Sequence, residues 1–300
     1  MAPHFNLCLM AGISIVNRQL FLGIGVQKCA TTWLYDILCD HPELAVSKQK
    51  EVDFFSYHFG RGYQWYEDQF PLTSERHLMG EISPSYFIDL MVPERLCAYA
   101  PAAKIIVSLR DPVERAISNH RHEVRLGNFH GEDLSFDAGI ENNPLYIEQS
   151  RYGTHLQRWL SYIPKSRLLI LFQEDIDRDP IAVATDVYRF LEIDHRHRSR
   201  AVELRSNESH LYKFHAFERV RKATREAARF LGADGAWRFA QQAGLQRLYR
   251  RLNRLPPGAR IPSVSPETRS RLRQQLEGEI RLVEEITGKL LPKWRTEESG

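Results

Sequence analysis

The chain has 300 residues, of which 43% are hydrophobic and 11% aromatic, so it contains enough apolar side chains to build a large core. This composition excludes a disordered chain and a small scaffold held together by disulfides. The 41 basic and 38 acidic residues leave a net charge of only +3, which does not support a dedicated nucleic-acid-binding protein.

The N-terminal segment and the cysteines indicate the compartment. The apolar segment at residues 5–16 is shorter than the roughly 20 residues that cross a bilayer, and no lysine or arginine precedes it. The four cysteines include no CxxC pair, so the sequence indicates neither a disulfide framework nor a thiolate zinc site. We therefore predict a cytoplasmic protein with no signal peptide and no transmembrane segment.

Three short apolar runs predict buried strands, and each is followed by a segment with helical periodicity. The strands are predicted at residues 20–26, 104–109 and 167–172, with a weaker fourth strand at residues 78–82. The helices that follow are predicted at residues 31–39, 113–126 and 181–191. Strands that alternate with helices predict an α/β fold with a central parallel sheet flanked by helices. Ligands of such sheets bind where the strands end, which directs attention to residues 27–32 and 110–118.

The last third of the chain is helical and more basic. Between Lys213 and Arg260 there are 12 lysines and arginines against three acidic residues, a local net charge of +9. A final helix is predicted to begin at Ser265, a capping residue followed by proline and glutamate. We predict an N-terminal extension at residues 1–19 and one domain at residues 20–300. That domain would comprise an α/β core at residues 20–212 and a helical C-terminal portion at residues 213–300.

The loop after the first strand is the most informative segment. A glycine-bearing turn between a strand and a helix presents N–H groups at the positive end of the helix dipole, and Lys28, Thr31 and Thr32 add donors that suit a phosphate. The spacing differs from GxxxxGK[ST], because Cys29 follows the lysine, and from GxGxxG, because Lys28 stands in place of the third glycine. The segment therefore predicts an anion-binding loop of a different, P-loop-like type.

Several segments resemble one enzyme family. Residues 25–42 read GVQKCATTWLYDILCDHP and resemble the 5′-phosphosulfate loop of sulfotransferases that use 3′-phosphoadenosine 5′-phosphosulfate (PAPS). Residues 105–118 read IIVSLRDPVERAIS and resemble the 3′-phosphate motif of that family. Three further segments are similar to the heparan-sulfate-type branch, comprising N-deacetylase/N-sulfotransferases and 3-O-sulfotransferases, and to its bacterial members: residues 50–55, 60–66 and 80–87. The resemblance covers residues 20–191 and implies a soluble bacterial sulfotransferase.

The resemblance also implies which residues bind PAPS and its product, 3′-phosphoadenosine 5′-phosphate (PAP). The residues implied at the 5′-phosphosulfate are Gln27, Lys28, Cys29, Ala30, Thr31 and Thr32. Arg110 and Ser118 are implied at the 3′-phosphate, the arginine through charge-assisted hydrogen bonds and the serine through its hydroxyl. No metal is implied, because sulfuryl transfer does not require neutralisation of a triphosphate.

The residues implied in chemistry lie on three segments. Glu51 occupies the position of the family's catalytic glutamate and is the implied general base, while Lys28 is implied to stabilise charge on the bridging oxygen. His122 is a second acid–base candidate, one helical turn after Ser118, and His120 is a neighbour that could be confused with it.

Two positions depart from the pattern of the heparan-sulfate branch. That branch often has histidine where this chain has Asp53 and lysine where it has Ile82. Contacts with the acceptor at these two positions therefore cannot be carried over from the family.

We predict a sulfotransferase that moves the sulfuryl group of PAPS to a hydroxyl or amine of a glycan or small-molecule acceptor. The alternatives are a P-loop small-molecule kinase and a non-enzymatic module that binds polyanions through residues 213–260. The kinase is disfavoured by the lysine spacing and by the arginine and proline that flank Asp111. Aromatic and leucine residues alternate with arginines from Trp237 to Leu252, a pattern that also suits weak contact with an anionic membrane surface. No nucleic-acid partner is predicted.

Overall fold

A computed structural model describes residues 19–71, 78–126, 128–129, 131–202, 211–212, 254–255 and 261–295. Its central sheet has five parallel strands in the order β2-β3-β1-β4-β5. They are β1 (Gln19–Gly25), β2 (Leu44–Val46), β3 (Leu78–Ile82), β4 (Lys104–Leu109) and β5 (Leu168–Phe172). A separate antiparallel pair joins β6 (Leu211–Tyr212) to β7 (Arg254–Leu255).

The helices in the described part of the chain are α1 (Thr31–Cys39), α2 (Tyr63–Glu67), α3 (Val92–Tyr99), α4 (Pro112–Leu126), α5 (Phe136–Asn142), α6 (Leu145–Glu148), α7 (Tyr152–Tyr162), α8 (Gln173–Arg178), α9 (Pro180–Leu191) and α10 (Pro266–Thr287). A 3₁₀ turn, Pro84–Tyr86, follows β3 directly. None of these helices is long and apolar enough to cross a membrane.

Both faces of the sheet are covered, which is why its strands are almost continuously apolar. Side chains alternate along β1, so Leu22 and Ile24 pack with α3, α7 and α10, whereas Phe21 packs on the other face with α1 and α9. The result is a three-layer α/β/α arrangement. The predicted fold class is confirmed.

The position of β1 in the middle of the sheet determines where the site can form. Main-chain hydrogen bonds tie the end of β1 to the ends of both neighbouring strands: the Val26 N–H donates to the Ser108 carbonyl of β4 at 2.9 Å, and the Ser83 N–H, just after β3, donates to the Gly23 carbonyl at 2.9 Å. Because all three strands are parallel, the loops that follow them meet at one edge of the sheet. The loops after β1 and β4, at residues 27–32 and 110–118, therefore lie at the same edge.

The predicted elements differ from the observed ones mainly at their ends. Pro112 and Pro180 occupy the first turns of α4 and α9, so each helix begins one residue before the predicted position. The predicted cap of the last helix is confirmed, because the Ser265 hydroxyl oxygen accepts the Thr268 N–H at 3.1 Å. The three-residue strand β2 was not predicted, since so short a run has no periodicity of its own.

The last helix packs on the α/β core rather than standing apart from it. Leu272 and Leu276 of α10 lie against α4, and Ile280 and Val283 lie in the core shared with α7. The proposed division at residue 212 stays a prediction, because residues 203–210 and 213–253, including Trp237–Leu252, lie outside the described residues.

Trp294 connects the segment after α10 to the edge of the sheet at which the strands end. It is 2% exposed, and its indole Nε1–H donates to Glu174 Oε1 at 3.0 Å. The same carboxylate oxygen accepts the Asp111 N–H at 3.0 Å, just after β4. The Trp294 side chain therefore ties the segment after α10 to the strand ends.

Replacement of Trp294 by alanine should lower the free energy of unfolding by about 3–5 kcal/mol, because it removes a large buried side chain and one partner of Glu174. Urea denaturation followed by circular dichroism measures this change. Leu290→Ala is the control, because Leu290 is 78% exposed and its loss should change the free energy of unfolding by less than about 0.5 kcal/mol. Equal effects of the two substitutions would contradict this description of the packing.

Candidate active site at the carboxyl edge of the sheet

The loop between β1 and α1 has a tightly curled backbone. Lys28 and Ala30 have φ angles of 73° and 58°, in the left-handed region, and the Cys29 N–H donates to the Val26 carbonyl at 3.1 Å. For residues that carry side chains this conformation costs about 1–2 kcal/mol each. Strain of this kind persists only where the surroundings enforce it, and it is common at ligand-binding sites.

The N-terminus of α1 has free backbone donors, whereas that of α4 does not. Ala30, the residue before α1, offers no side-chain oxygen, and the first turn contains no acidic residue. At α4 the Asp111 carboxylate accepts the N–H groups of Val113 and Glu114 at 2.9 and 3.1 Å. Because the first N–H groups of a helix have no acceptor within the helix, α1 can receive an external anion there.

The predicted residues of this loop differ in what their side chains can reach. Cys29 is buried, with its Sγ 3.8 Å from the Tyr152 hydroxyl, and burial raises its pKa to about 12. Its thiol therefore stays protonated and faces the core, so Cys29 can contribute to the loop only through its backbone. Thr31 is buried, while Gln27 and Thr32 are half-buried.

Lys28 brings an unneutralised positive charge to the loop. It is half-buried, and among the described residues no carboxylate pairs with it. Burial lowers its pKa to about 8, and repulsion from Arg125 adds to this effect, while Glu123 and Glu51 oppose it. At pH 7 the amine is still mainly charged, so an anion bound at α1 would find a cation beside it.

Two arginines follow β4 without a carboxylate partner among the described residues. Arg110 is half-buried at the end of the strand. Arg115 is completely buried, and its guanidinium donates to Ser150 Oγ at 2.8 Å and Gln149 Oε1 at 3.0 Å. Buried cations are normally paired, so the strand end carries excess positive charge. Arg115 was not singled out from the sequence, where it is one arginine of an amphipathic helix.

Helix α4 separates the two neighbouring histidines. His120 is buried, with Nε2 3.0 Å from the Leu134 carbonyl, and it packs against Phe136 on the far side from the loop. His122 is half-buried, one turn after the half-buried Ser118. Burial, followed by repulsion from Lys28, lowers the pKa of His122 to about 4. His122 is therefore neutral at pH 7 and lies within electrostatic reach of the loop.

Glu51 lies close enough to Lys28 and His122 for its charge to influence their pKa values. Its side chain is 51% exposed, its Oε1 is 2.5 Å from Lys50 Nζ, and its charge raises the pKa values of both Lys28 and His122. The structure thus brings Lys28, Glu51 and His122 together from three separate segments. The Lys50 partner was not assigned from the sequence, because adjacent residues need not pair.

The backbone around Glu51 is held in an unusual conformation by the end of β3. Glu51 and Asp53 have φ angles of 64° and 54°. The Glu51 N–H donates to the Ile82 carbonyl at 3.1 Å, and the Asp53 N–H donates to Ser83 Oγ at 2.9 Å. The Ser85 hydroxyl donates to Asp53 Oδ1 at 2.5 Å. These contacts fix where the Glu51 side chain leaves the main chain.

Comparison with known proteins gives a family match over most of the chain. The model of the family described as Sulfotransferase domain matches residues 18–238. Human bifunctional heparan sulfate N-deacetylase/N-sulfotransferase 2 is 33% identical over 196 residues, which cover 58% of this chain and 22% of that protein. Mouse heparan sulfate glucosamine 3-O-sulfotransferase 3A1 is 34% identical over 176 residues, or 56% of this chain and 44% of that protein.

A solved structure supports the fold independently of these sequences. The superposition with the crystal structure of a sulfotransferase from Alicyclobacillus acidocaldarius covers 94% of this chain and 100% of that chain. Its TM-score is 0.68, and the two sequences are 19% identical. This likeness shows that the two proteins share a fold. The sequence alignments, in turn, span less than half the length of either heparan-type relative.

Replacement of Lys28 by methionine should raise the pKa of His122 toward the ordinary value of about 6.5, because it removes a positive charge that disfavours the imidazolium. NMR titration of histidine-labelled protein, with the resonance assigned from His122→Gln, measures the midpoint. His120 on the opposite face of α4 is the internal control and should not respond. A wild-type His122 midpoint near 6.5, or no response to Lys28→Met, would contradict this geometry.

Proposed function

Because the chain belongs to the sulfotransferase domain family, we propose that it transfers the sulfuryl group of PAPS to a hydroxyl or amine of a glycan or small-molecule acceptor. The observation that carries the proposal is the set of positive groups at one edge of the sheet without carboxylate partners among the described residues: the N-terminus of α1, Lys28 and Arg110. A ligand with a 5′-phosphosulfate and a separate 3′-phosphate matches two such positions.

The residues after β1 fit the 5′ end of PAPS. The N–H groups at the start of α1, with the hydroxyls of Thr31 and Thr32, would hold the 5′-phosphate, and Gln27, Cys29 and Ala30 would shape the loop around it. Lys28 would donate to the bridging oxygen, where negative charge develops during transfer. When bound, PAPS supplies the sulfuryl group and leaves as PAP.

The residues after β4 fit the 3′-phosphate. Arg110 would donate paired hydrogen bonds to the phosphate, and the hydroxyl of Ser118, on α4, would donate a further hydrogen bond to it. The buried charge of Arg115 would add a favourable field without touching the ligand.

Glu51 is the group that would take the proton from the acceptor. Its carboxylate is exposed to solvent on one side and lies within electrostatic reach of Lys28, as a base acting beside the transferred group must. His122, neutral at pH 7, is the second candidate for this role. Lys50 would help to hold the Glu51 carboxylate in place through its 2.5 Å hydrogen bond.

No feature of the described residues favours the kinase alternative. The carboxylate that follows β4, Asp111, already caps α4 and pairs with Arg273 at 3.2 Å, so it is engaged rather than turned toward a phosphate-bound magnesium ion. The polyanion-binding alternative rests on residues 213–260, which lie almost entirely outside the described residues. No metal is part of the proposal.

Wild-type protein should bind PAP at least about 100-fold more tightly than ADP, because two or three charge-assisted bonds to the 3′-phosphate contribute roughly 1.5–3 kcal/mol each. Isothermal titration calorimetry at one ionic strength measures both affinities. Arg110→Ala should remove most of the preference and leave ADP binding nearly unchanged.

The control for this test is Arg189→Ala, which removes the same charge from α9, where Arg189 pairs with Asp186. It should leave both affinities unchanged. Equal affinity of the wild-type protein for PAP and ADP would overturn the proposed function and favour a kinase.

Replacement of Glu51 by glutamine should lower turnover by about 10²- to 10⁴-fold with PAP affinity unchanged, because an amide keeps the shape but cannot accept the proton. Release of PAP from PAPS in the presence of an acceptor pool measures turnover. Glu277→Gln on α10 is the control and should retain full turnover. If Glu51→Gln keeps near wild-type turnover and His122→Gln loses turnover, His122 is the base instead.

A further inference from the structure

Glu81 is a buried acid that the proposed chemistry does not use. It lies in β3 with 0% of its surface exposed, and no lysine, arginine or histidine of the described residues forms an ion pair with it. A carboxylate removed from water without a cation is costly to keep. The hydrogen bonds it accepts from Ser83 and Tyr86 lead toward the segment that carries Glu51.

Two hydrogen-bond relays run from the main chain of that segment to the two oxygens of Glu81. In the first relay, the Asp53 N–H donates to Ser83 Oγ at 2.9 Å, and the Ser83 hydroxyl donates to Glu81 Oε2 at 2.6 Å. In the second, the Phe55 N–H donates to the Tyr86 oxygen at 3.2 Å, and the Tyr86 hydroxyl donates to Glu81 Oε1 at 2.7 Å. Each hydroxyl thus accepts from the main chain and donates to the acid.

An ionised carboxylate completes both relays at once. It accepts at both oxygens, so both hydroxyl protons point toward it and both hydroxyl oxygens are free for the main-chain N–H groups. An amide has only donors on its nitrogen and would force one hydroxyl to turn around, and a protonated acid accepts more weakly at its hydroxyl oxygen. One of the two main-chain bonds would then weaken.

The relays hold a segment that would not keep its shape alone. Glu51 and Asp53 are left-handed residues with side chains. Outside the relays, the Glu51 N–H donates to the Ile82 carbonyl at 3.1 Å, the Ser85 hydroxyl donates to Asp53 Oδ1 at 2.5 Å, and Arg95 Nη1 donates to the Phe55 carbonyl at 2.7 Å. We propose that ionised Glu81 is a positioning residue that fixes the Glu51 carboxylate through these two relays. The role given to Glu51 rests on the proposed function.

The groups that face Glu81 come from three elements. They are Tyr66 of α2, Tyr86 of the 3₁₀ turn and Asp53 of the Glu51 segment. Burial raises the pKa values of both tyrosines well above their usual range, so neither changes charge near neutrality. Burial also raises the pKa of Glu81, to about 7, against the lowering effect of the hydroxyl donors. The relays should therefore assemble as the pH rises through neutrality.

The first measurement is structural and needs no substrate. The amide resonance of Phe55 should titrate with a midpoint near 7 in the wild-type protein, because its hydrogen bond strengthens as Glu81 ionises. Glu81→Gln should abolish this titration. Glu284→Gln, which alters another buried carboxyl on α10, should leave it unchanged.

The second measurement is kinetic. Glu81→Gln should lower kcat by about 10- to 100-fold at pH 8, because a displaced base is an inefficient one, with the Kd of PAP within about twofold of wild type. In the wild-type protein kcat should rise between about pH 6 and about pH 8 as Glu81 ionises, and this rise should disappear in Glu81→Gln. Ser83→Ala, which cuts one relay but keeps the buried acid, should lower kcat by about tenfold. Ser108→Ala, a buried serine of β4 whose hydroxyl has no partner among the described residues, should lower neither kcat nor PAP affinity.

The outcomes separate this inference from the proposed function. Wild-type turnover that depends on Glu51, together with an unchanged Phe55 titration and an unchanged kcat profile in Glu81→Gln, overturns the role of Glu81 alone. If Glu81→Gln fails to fold, Ser83→Ala decides: a tenfold loss of kcat at constant PAP affinity supports the relay, and full activity overturns it. Absence of any PAPS turnover in the wild-type protein contradicts the proposed function, while the Phe55 titration still tests the relays.

Discussion

The site depends on positive charge at one edge of the sheet that has no carboxylate partner among the described residues. Because β1 lies between β3 and β4 and all three are parallel, the first turn of α1, Lys28 and Arg110 converge there from distant parts of the sequence. Elsewhere in the described chain arginines commonly meet acids, as Arg273 meets Asp111 at the neighbouring helix. An anionic ligand would complete the electrostatics of this edge.

The same edge concentrates strain and buried charge. Lys28, Ala30, Glu51 and Asp53 all have left-handed backbones, and Glu81 lies buried beneath the second pair. Since the pKa of Glu81 in the folded protein is about 7, above its usual value, its contribution to folding stability is full at low pH and is lost as the pH rises through neutrality. Glu81 therefore contributes least to folding stability in the pH range in which the proposed relays are complete. Its burial serves function rather than stability.

Sequence patterns could predict four strands of the central sheet, the helices α1, α4, α9 and α10 and the two candidate ligand loops, because each depends on local periodicity and on residues that are neighbours in the chain. They could not predict β2, which has three residues and gains its identity from pairing with β3. The rest depends on contacts between residues 30 or more positions apart: the buried setting of Arg115, the relays to Glu81 and the lack of a carboxylate partner for Arg110 among the described residues. The acceptor site could not be predicted either. Asp53 and Ile82 depart from the family pattern, and contacts with the acceptor at these positions depend on the shape of the site.

A crystal structure of this protein grown with PAP would locate both phosphates relative to Lys28 and Arg110. We expect the 5′-phosphate at the N-terminus of α1 beside Lys28 and the 3′-phosphate bonded to Arg110 and Ser118. Binding of PAP at another edge of the sheet, or a 3′-phosphate in solvent away from Arg110, would show that these charges do not form the PAPS site.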